Sequence, residues 1–291
     1  MTQSASHTGE SGRTGPLLVA LGAAFVGLAP IGARLSEMGP QATAFWRFLL
    51  AAPLLALLLY FKGVPLKRPH PFTLIMGASI GLYMCVWHAS LEITSVANAT
   101  FIVNVGSVSV GLLAWAFLKQ RPSRLWPIAA IVTLAGAATM SFGGANGGSG
   151  NIQGDLIAVV AAFFMASYVM TAGLAQRHQD TFNVMFWGAL AAAMAALLAS
   201  LIVGEKVTPN KLTDLSGPIF LAFFAQFLGQ SCIIFGVGKT PPSVAGVILM
   251  LQPVVSGVIA WPLFQENLSI VQILGAVGIL AGVYLANLKT K

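Results

Sequence analysis

The sequence predicts an all-α integral membrane protein of ten transmembrane helices, folded as two inverted five-helix repeats. Three observations carry the prediction. Charge is sparse: 8 % of the 291 residues are charged and 57 % are hydrophobic, with a mean hydropathy of +0.84. A soluble domain is about a quarter charged, and a bilayer removes charge because an ionised group at its centre costs about 2.5–3.5 kcal/mol to insert. The apolar residues also fall into ten runs of the length, about twenty residues, that crosses a bilayer. Finally, the chain matches itself when slid by half its length.

The first fifteen residues, up to Gly15, are polar and lack an apolar core, so they read as a short tail and not as a cleaved signal peptide. Spans follow at 16–35, 41–61, 72–91, 96–118 and 125–142. Short polar punctuation separates them: "SEMGP", "KGVPLKRPHP", "EITS" and "KQRPSR". A Gly-rich connector, "GGANGGSGNIQG" at 143–154, joins the halves as a flexible linker. The second set runs 155–175, 181–203, 218–238, 243–264 and 269–288, and 289–291 is a closing tail. The runs are too long for barrel strands and do not alternate as such strands do.

Ten spans place both termini on one side. Arg13, Lys62, Lys67, Arg68, Lys119, Arg121, Arg124, Arg177, Lys239, Lys289 and Lys291 fall on that side, against Arg34, Lys206 and Lys211 opposite. The positive-inside rule makes the basic side cytoplasmic, in a bacterial inner membrane. Glu37, Glu92, Asp155, Glu205, Asp214 and Glu266 lean the other way. The net charge of +7 is therefore a topology signal, and no soluble basic face exists for a nucleic acid. Membrane lipid is the surrounding partner, and a functional monomer is expected. Cys85 and Cys232 lie mid-span and read as packing residues.

The repeat shows at an offset of 146, where "ATFIVNVGSVSVGLLAW" from Ala99 falls on "AGVILMLQPVVSGVIAW" from Ala245. Gly111 meets Gly257, Trp115 meets Trp261, and Leu134-Ala135-Gly136 meets Leu280-Ala281-Gly282. At an offset of 141, Phe45-Trp46-Arg47 falls on Phe186-Trp187-Gly188. Five spans per half is an odd number, so the second half inserts upside down. Inverted repeats recur in secondary transporters, with the site near the midplane between the halves.

The 5+5 arrangement, "RFLLAAPLLALLL" in the second span and "LQPVVSGVIAWPLFQENLSIVQILGAVGILAGVYL" at 251–285 resemble the drug/metabolite transporter superfamily, EamA type. The resemblance covers about 16–288. The first half departs from the late motif, with Gln120 where the second has Glu266 and Ser107 where it has Pro253. The resemblance implies a ten-helix exporter of small metabolites, and its YddG-type branch implies aromatic and other neutral amino acids as substrates.

Other chemistries find little support. "IIFGVGKT" at 233–240 looks like the end of a phosphate-binding loop, but the pattern needs Gly where Ile233 stands. Of four histidines only His88 is inside a span, and no HExxH occurs. No cofactor or metal is expected. An enzyme, a sensor, or a carrier of nucleosides, sugars or drugs remain the alternatives.

Polar groups inside spans are costly and face the bundle interior. The substrate-binding candidates are Tyr83, Trp87 and His88 in the third span, Asn98, Asn104 and Ser107 in the fourth, Tyr168 in the sixth, Gln226 and Gln230 in the eighth, and Gln252 in the ninth. Each amide serves equally as interhelical glue. The fourth and ninth spans, equivalent by the repeat, should cross near the centre, with Gly106, Gly111, Gly246 and Gly257 allowing close approach. Trp46, Trp115, Trp126, Trp187 and Trp261 lie nearer span ends and read as interfacial anchors.

Arg47 is the one charge inside an apolar run, about 10 Å along its helix at 1.5 Å per residue. Three roles are open: snorkelling to the outer surface, holding loose backbone carbonyls, or binding a carboxylate in an outer vestibule. Snorkelling places the structural roles first, and Pro253 is structural likewise. No Asp or Glu lies deep in a span, which favours facilitated, alternating-access export of a neutral or zwitterionic solute. His88 is the only obvious proton carrier.

Overall fold

The computed structural model describes residues 11–142, 151–264 and 269–288. Glu266, most of the Gly-rich connector, and Lys289 and Lys291 of the closing tail fall outside them. Every regular element among the described residues is helical. The first span is α1 (Ser11–Val26) continued by α2 (Ala29–Arg34), and the second to fifth are α3 (Pro40–Phe61), α4 (Pro71–Leu91), α5 (Val96–Leu118) and α6 (Trp126–Phe142). In the second half come α7 (Ile152–His178) and α8 (Thr181–Val203). A 3₁₀ turn (Leu212–Leu215) then leads into the eighth span: α9 (Ser216–Phe220), a π-helical stretch (Leu221–Gln230) and α10 (Ser231–Val237). The ninth span is α11 (Pro242–Leu249) with α12 (Leu251–Phe264), and the tenth is α13 (Ile270–Asn287). Among the described residues nine of the ten apolar runs become segments long and apolar enough to cross a membrane, and the remaining one, α6, is a shorter apolar helix of 17 residues.

Local chemistry sets the ends. Pro40, Pro71 and Pro242 open their helices, where a missing N–H costs nothing. Ser95 and Asp180 cap α5 and α8 by accepting the backbone N–H of Asn98 at 3.1 Å and Asn183 at 3.0 Å. Gly204 closes α8 in the left-handed region at φ 78°.

The principal packing runs between the halves. The second span packs on the seventh, the fifth on the tenth, the fourth on the ninth, the third on the sixth and the first on the eighth. Under an inverted repeat the first three pairs map onto themselves, and the last two map onto each other. Lipid tails are as apolar as leucine, so helix association in a membrane rests on close van der Waals fit. A Cβ at Gly77 would strike the Gly188 backbone, and one at Gly136 the Gly275 carbonyl. Large apolar side chains such as Ile131, Phe163, Leu201 and Leu274 point outward, toward lipid.

Cross-half hydrogen bonds fasten both ends. At the acidic end, Glu205 accepts the Ala42 N–H at 2.8 Å, and Asp155 accepts from the Thr94 hydroxyl at 2.7 Å. At the basic end, Gln179 accepts from the Thr73 hydroxyl at 2.7 Å, and Asn183 accepts the Lys67 N–H at 2.9 Å. Trp126 departs from the expected anchor: it is 5 % exposed and donates to the Ser243 carbonyl at 3.0 Å, joining the fifth span to the ninth.

Candidate functional site

Three spans are irregular. Pro30 has no N–H, and its ring would clash with the carbonyl of Val26, four residues back; α1 ends at Val26. The Gly27 carbonyl loses its helical partner, because the Ile31 N–H turns to Leu28 at 3.0 Å. The Ser256 hydroxyl takes that carbonyl at 2.8 Å. Pro253 acts in the same way on the ninth span: α11 ends at Leu249, four residues earlier. The eighth span widens into the π-helical stretch, a geometry frequent at functional sites. Irregular backbone at membrane depth is tolerated where it is buried in protein or lines a cavity.

Beside these interruptions the helices bring together Arg47, Tyr83, Trp87, His88, Tyr168 and Gln230, with Gln226 one turn along. Gln41 fixes α3 against α4 by donating to the Cys85 carbonyl at 3.1 Å. The Tyr83 and Trp87 rings share a face of α4, with centroids 6.5 Å apart and planes at 24°. The His88 ring lies 5.3 Å from that of Trp87. Across the bundle, the Tyr168 hydroxyl donates to Gln230 Oε1 at 2.5 Å, tying α7 to the π-helical stretch. Arg47 is within electrostatic range of Tyr83, Tyr168 and His88. Tyr83 and His88 are half-buried in the bundle.

The cluster is under-satisfied. Arg47 Nε, Trp87 Nε1, His88 Nδ1 and Gln226 Oε1 are buried without a hydrogen-bond partner. Each such atom costs about 1–3 kcal/mol, and native proteins keep few of them. Arg47 is 3 % exposed, and its guanidinium carbon lies 5.5 Å from the centroid of the Phe48 ring. The side chain is buried, and among the described residues no carbonyl accepts from its Nε.

Other candidates lie elsewhere. Asn98 sits in the first turn of α5 and donates to both oxygens of Asp155 at 3.3 Å, a fastening at the acidic end. Ser107 is buried where α5 meets α11, its carbonyl against Gly246. Asn104 on α5 and Gln252 on α12 are half-buried. Pro253 breaks the ninth span. The sequence reading passed over Gln41 and the break at Pro30; a proline inside the first apolar run was the available signal for the latter.

A cavity of about 630 Å³ lies at the basic end, partly open to the surface, between the C-terminal turns of α7 and α10 and the start of α11. Met170, Phe235, Gln176, Arg177 and Lys239 line it.

A model of the EamA-like transporter family matches residues 13–142 and 152–288. An uncharacterized transporter of Archaeoglobus fulgidus is 24 % identical over 269 residues, covering 88 % of this chain and 90 % of that protein. The uncharacterized transporters YwfM and YyaM of Bacillus subtilis are 24 % and 22 % identical, covering 68 % and 85 % of this chain and 67 % and 84 % of their own lengths. A crystal structure at 18 % identity superposes with a TM-score of 0.79, covering 96 % of this chain and 98 % of its own, and shares the fold.

Proposed function

Because this chain belongs to the EamA-like transporter family, we propose that it is a facilitative, alternating-access exporter of small amphipathic metabolites, with aromatic and other neutral amino acids as its first substrates. The observation that carries this reading is the cluster of unmet polar groups on an aromatic wall inside the bundle, with no carboxylate among them. A structural core would have filled those hydrogen bonds. A strongly proton-coupled carrier usually shows a membrane carboxylate, and here Asp155, Asp180, Glu205 and Asp214 stand at span ends. An apolar pocket with a few polar groups suits solutes with variable side chains.

In this reading the basic end faces the cytoplasm of a bacterial inner membrane, and the 630 Å³ cavity is the cytoplasmic vestibule. The two halves rock about the central cluster, and one copy of the chain suffices. Sealed proteoliposomes preloaded with unlabelled solute test it: labelled phenylalanine, methionine and threonine should equilibrate without concentrating, with or without a pH gradient. Absence of flux for all three removes the amino-acid assignment.

A second reading, proton-coupled antiport, rests on the buried, unpartnered Nδ1 of His88. Accumulation driven by a pH gradient, and abolished in His88→Ala, would select it.

A further inference from the structure

Arg47 is a buried cation without an anion. A structural arginine in a membrane bundle pairs with a carboxylate or with loose carbonyls. Among the described residues this one pairs with neither. The Gly27 carbonyl, freed by the break in the first span, is satisfied by Ser256. Glu205, the acid that touches α3, is engaged by the Ala42 N–H at the helix start. Asp155 and Asp214 are held in the same way by Thr94 and by the Asn210 and Lys211 N–H groups. A buried charge is costly unless it is paired; among the described residues no acid pairs with Arg47, and a partner from outside the chain would meet its charge.

The surroundings define that partner. A guanidinium presents paired donors that match a planar carboxylate. Trp87 Nε1 adds a second unused donor, and the Tyr83–Trp87 face offers an apolar wall. Among the described residues Asp155, Asp180, Glu205 and Asp214 are engaged at span ends, and none bonds to the cluster to receive a substrate cation. We propose that Arg47 is the carboxylate-binding residue of this site, and that the substrate is a small monocarboxylate with an apolar or aromatic body whose amino group is dispensable. This rests on the cluster being the substrate site, and it narrows that reading from amphipathic solutes to carboxylates.

The test uses the purified full chain in detergent, in gluconate buffer. Thermal unfolding and tryptophan fluorescence are followed against phenylalanine, 3-phenylpropionate, 2-phenylethylamine and chloride. The first two should bind; the amine should fail at a hundredfold higher concentration. Arg47→Gln should weaken both acids about tenfold to a hundredfold, the worth of one charged hydrogen-bonded contact, with Arg47→Lys in between. Should Arg47→Gln fail to fold, the selectivity of the wild-type protein decides alone. Equal binding of amine and acid overturns the proposal, as does stabilisation by chloride alone, or no binding of either acid by protein that carries another solute. Carboxylate binding without flux of any solute leaves Arg47 in this role and removes the transporter reading instead.

Discussion

Trp46 and Trp187 make the same hydrogen bond at opposite ends of the molecule. Trp46 Nε1 donates to the Val207 carbonyl at 2.8 Å, in the loop after the seventh span. Trp187 Nε1 donates to the Lys67 carbonyl at 2.7 Å, in the loop after the second. Each indole also meets the preceding phenylalanine edge-on, at 5.4 Å and 5.3 Å between centroids. Two spans thus cross in opposite directions, and each anchors the other's trailing loop.

This pairing predicts matched losses. Trp46→Phe and Trp187→Phe each remove one hydrogen bond while keeping a ring, and each should cost about 0.5–1.5 kcal/mol. The sites share no partner, so the double variant should lose the sum. Chemical unfolding in detergent measures all three. A large loss at one tryptophan and none at the other would mean that the two ends do not carry equivalent anchors.

Asp155 should matter more than its position in the first turn of α7 suggests. Its carboxylate receives Thr94 at 2.7 Å and Asn98 at 3.3 Å, joining the loop between the third and fourth spans to the sixth. Asp155→Ala strands both donors, and a charged hydrogen bond is worth about 1.5–3 kcal/mol. Asp155→Asn keeps an acceptor and should lose less. Unfolding midpoints that rank Asn with Ala would place the stability elsewhere than in these bonds.

Span boundaries were legible because hydropathy reports burial in lipid, and prolines and charges mark its limits. The second, fourth and seventh spans fall at 40–61, 96–118 and 181–203, within a residue of the reading. Hydropathy does not register backbone hydrogen bonds, so it ran through the interruptions at Gly27–Leu28 and Met250 and through the π-helical stretch. The aromatic and amide members of the cluster were recoverable as polar groups in apolar helices. Arg47 was visible as the one charge in an apolar run, but its cost alone does not tell whether a carbonyl or a carboxylate waits nearby. Trp126 was misread because its partners, Gly111 and Ser243, come from two other spans. Asn98 reads from the sequence as an amide of the fourth span, and Ser95 three residues before it marks that helix's start.

The crossing of the fourth and ninth spans depends on missing methyl groups, at Gly111 against Ser243 and at Gly246 against Ser107. A Cβ at Gly246 would drive into the Ser107 carbonyl, whereas one at Gly173, in the wall of the basic-end cavity, would meet only Val237 Cγ1 at 3.9 Å. Gly246→Ala should therefore cost about 1–3 kcal/mol by overpacking. Gly173→Ala should be neutral or slightly stabilising, since alanine suits a helix better than glycine. Melting curves of the pair decide it, and a tolerated Gly246→Ala would mean that the two spans separate easily.

Gln226 offers the sharpest contrast between stability and function. Its side chain is 6 % exposed, and its Oε1 has no partner. Its neighbour one turn along, Gln230, is satisfied by Tyr168. Replacing a buried group that lacks a partner removes a desolvation cost, so Gln226→Leu should hold or raise stability, by up to about 1–3 kcal/mol. Tyr168→Phe strands Gln230 Oε1 and should lower it by a similar amount. If the cluster binds substrate, Gln226→Leu should also slow flux in proteoliposomes, because the acceptor kept open for the solute is gone. A variant that gains stability and loses transport marks a residue retained for its ligand. Lost stability would instead mean that the amide is already bonded in the fold, and unchanged flux would put Gln226 outside the substrate path.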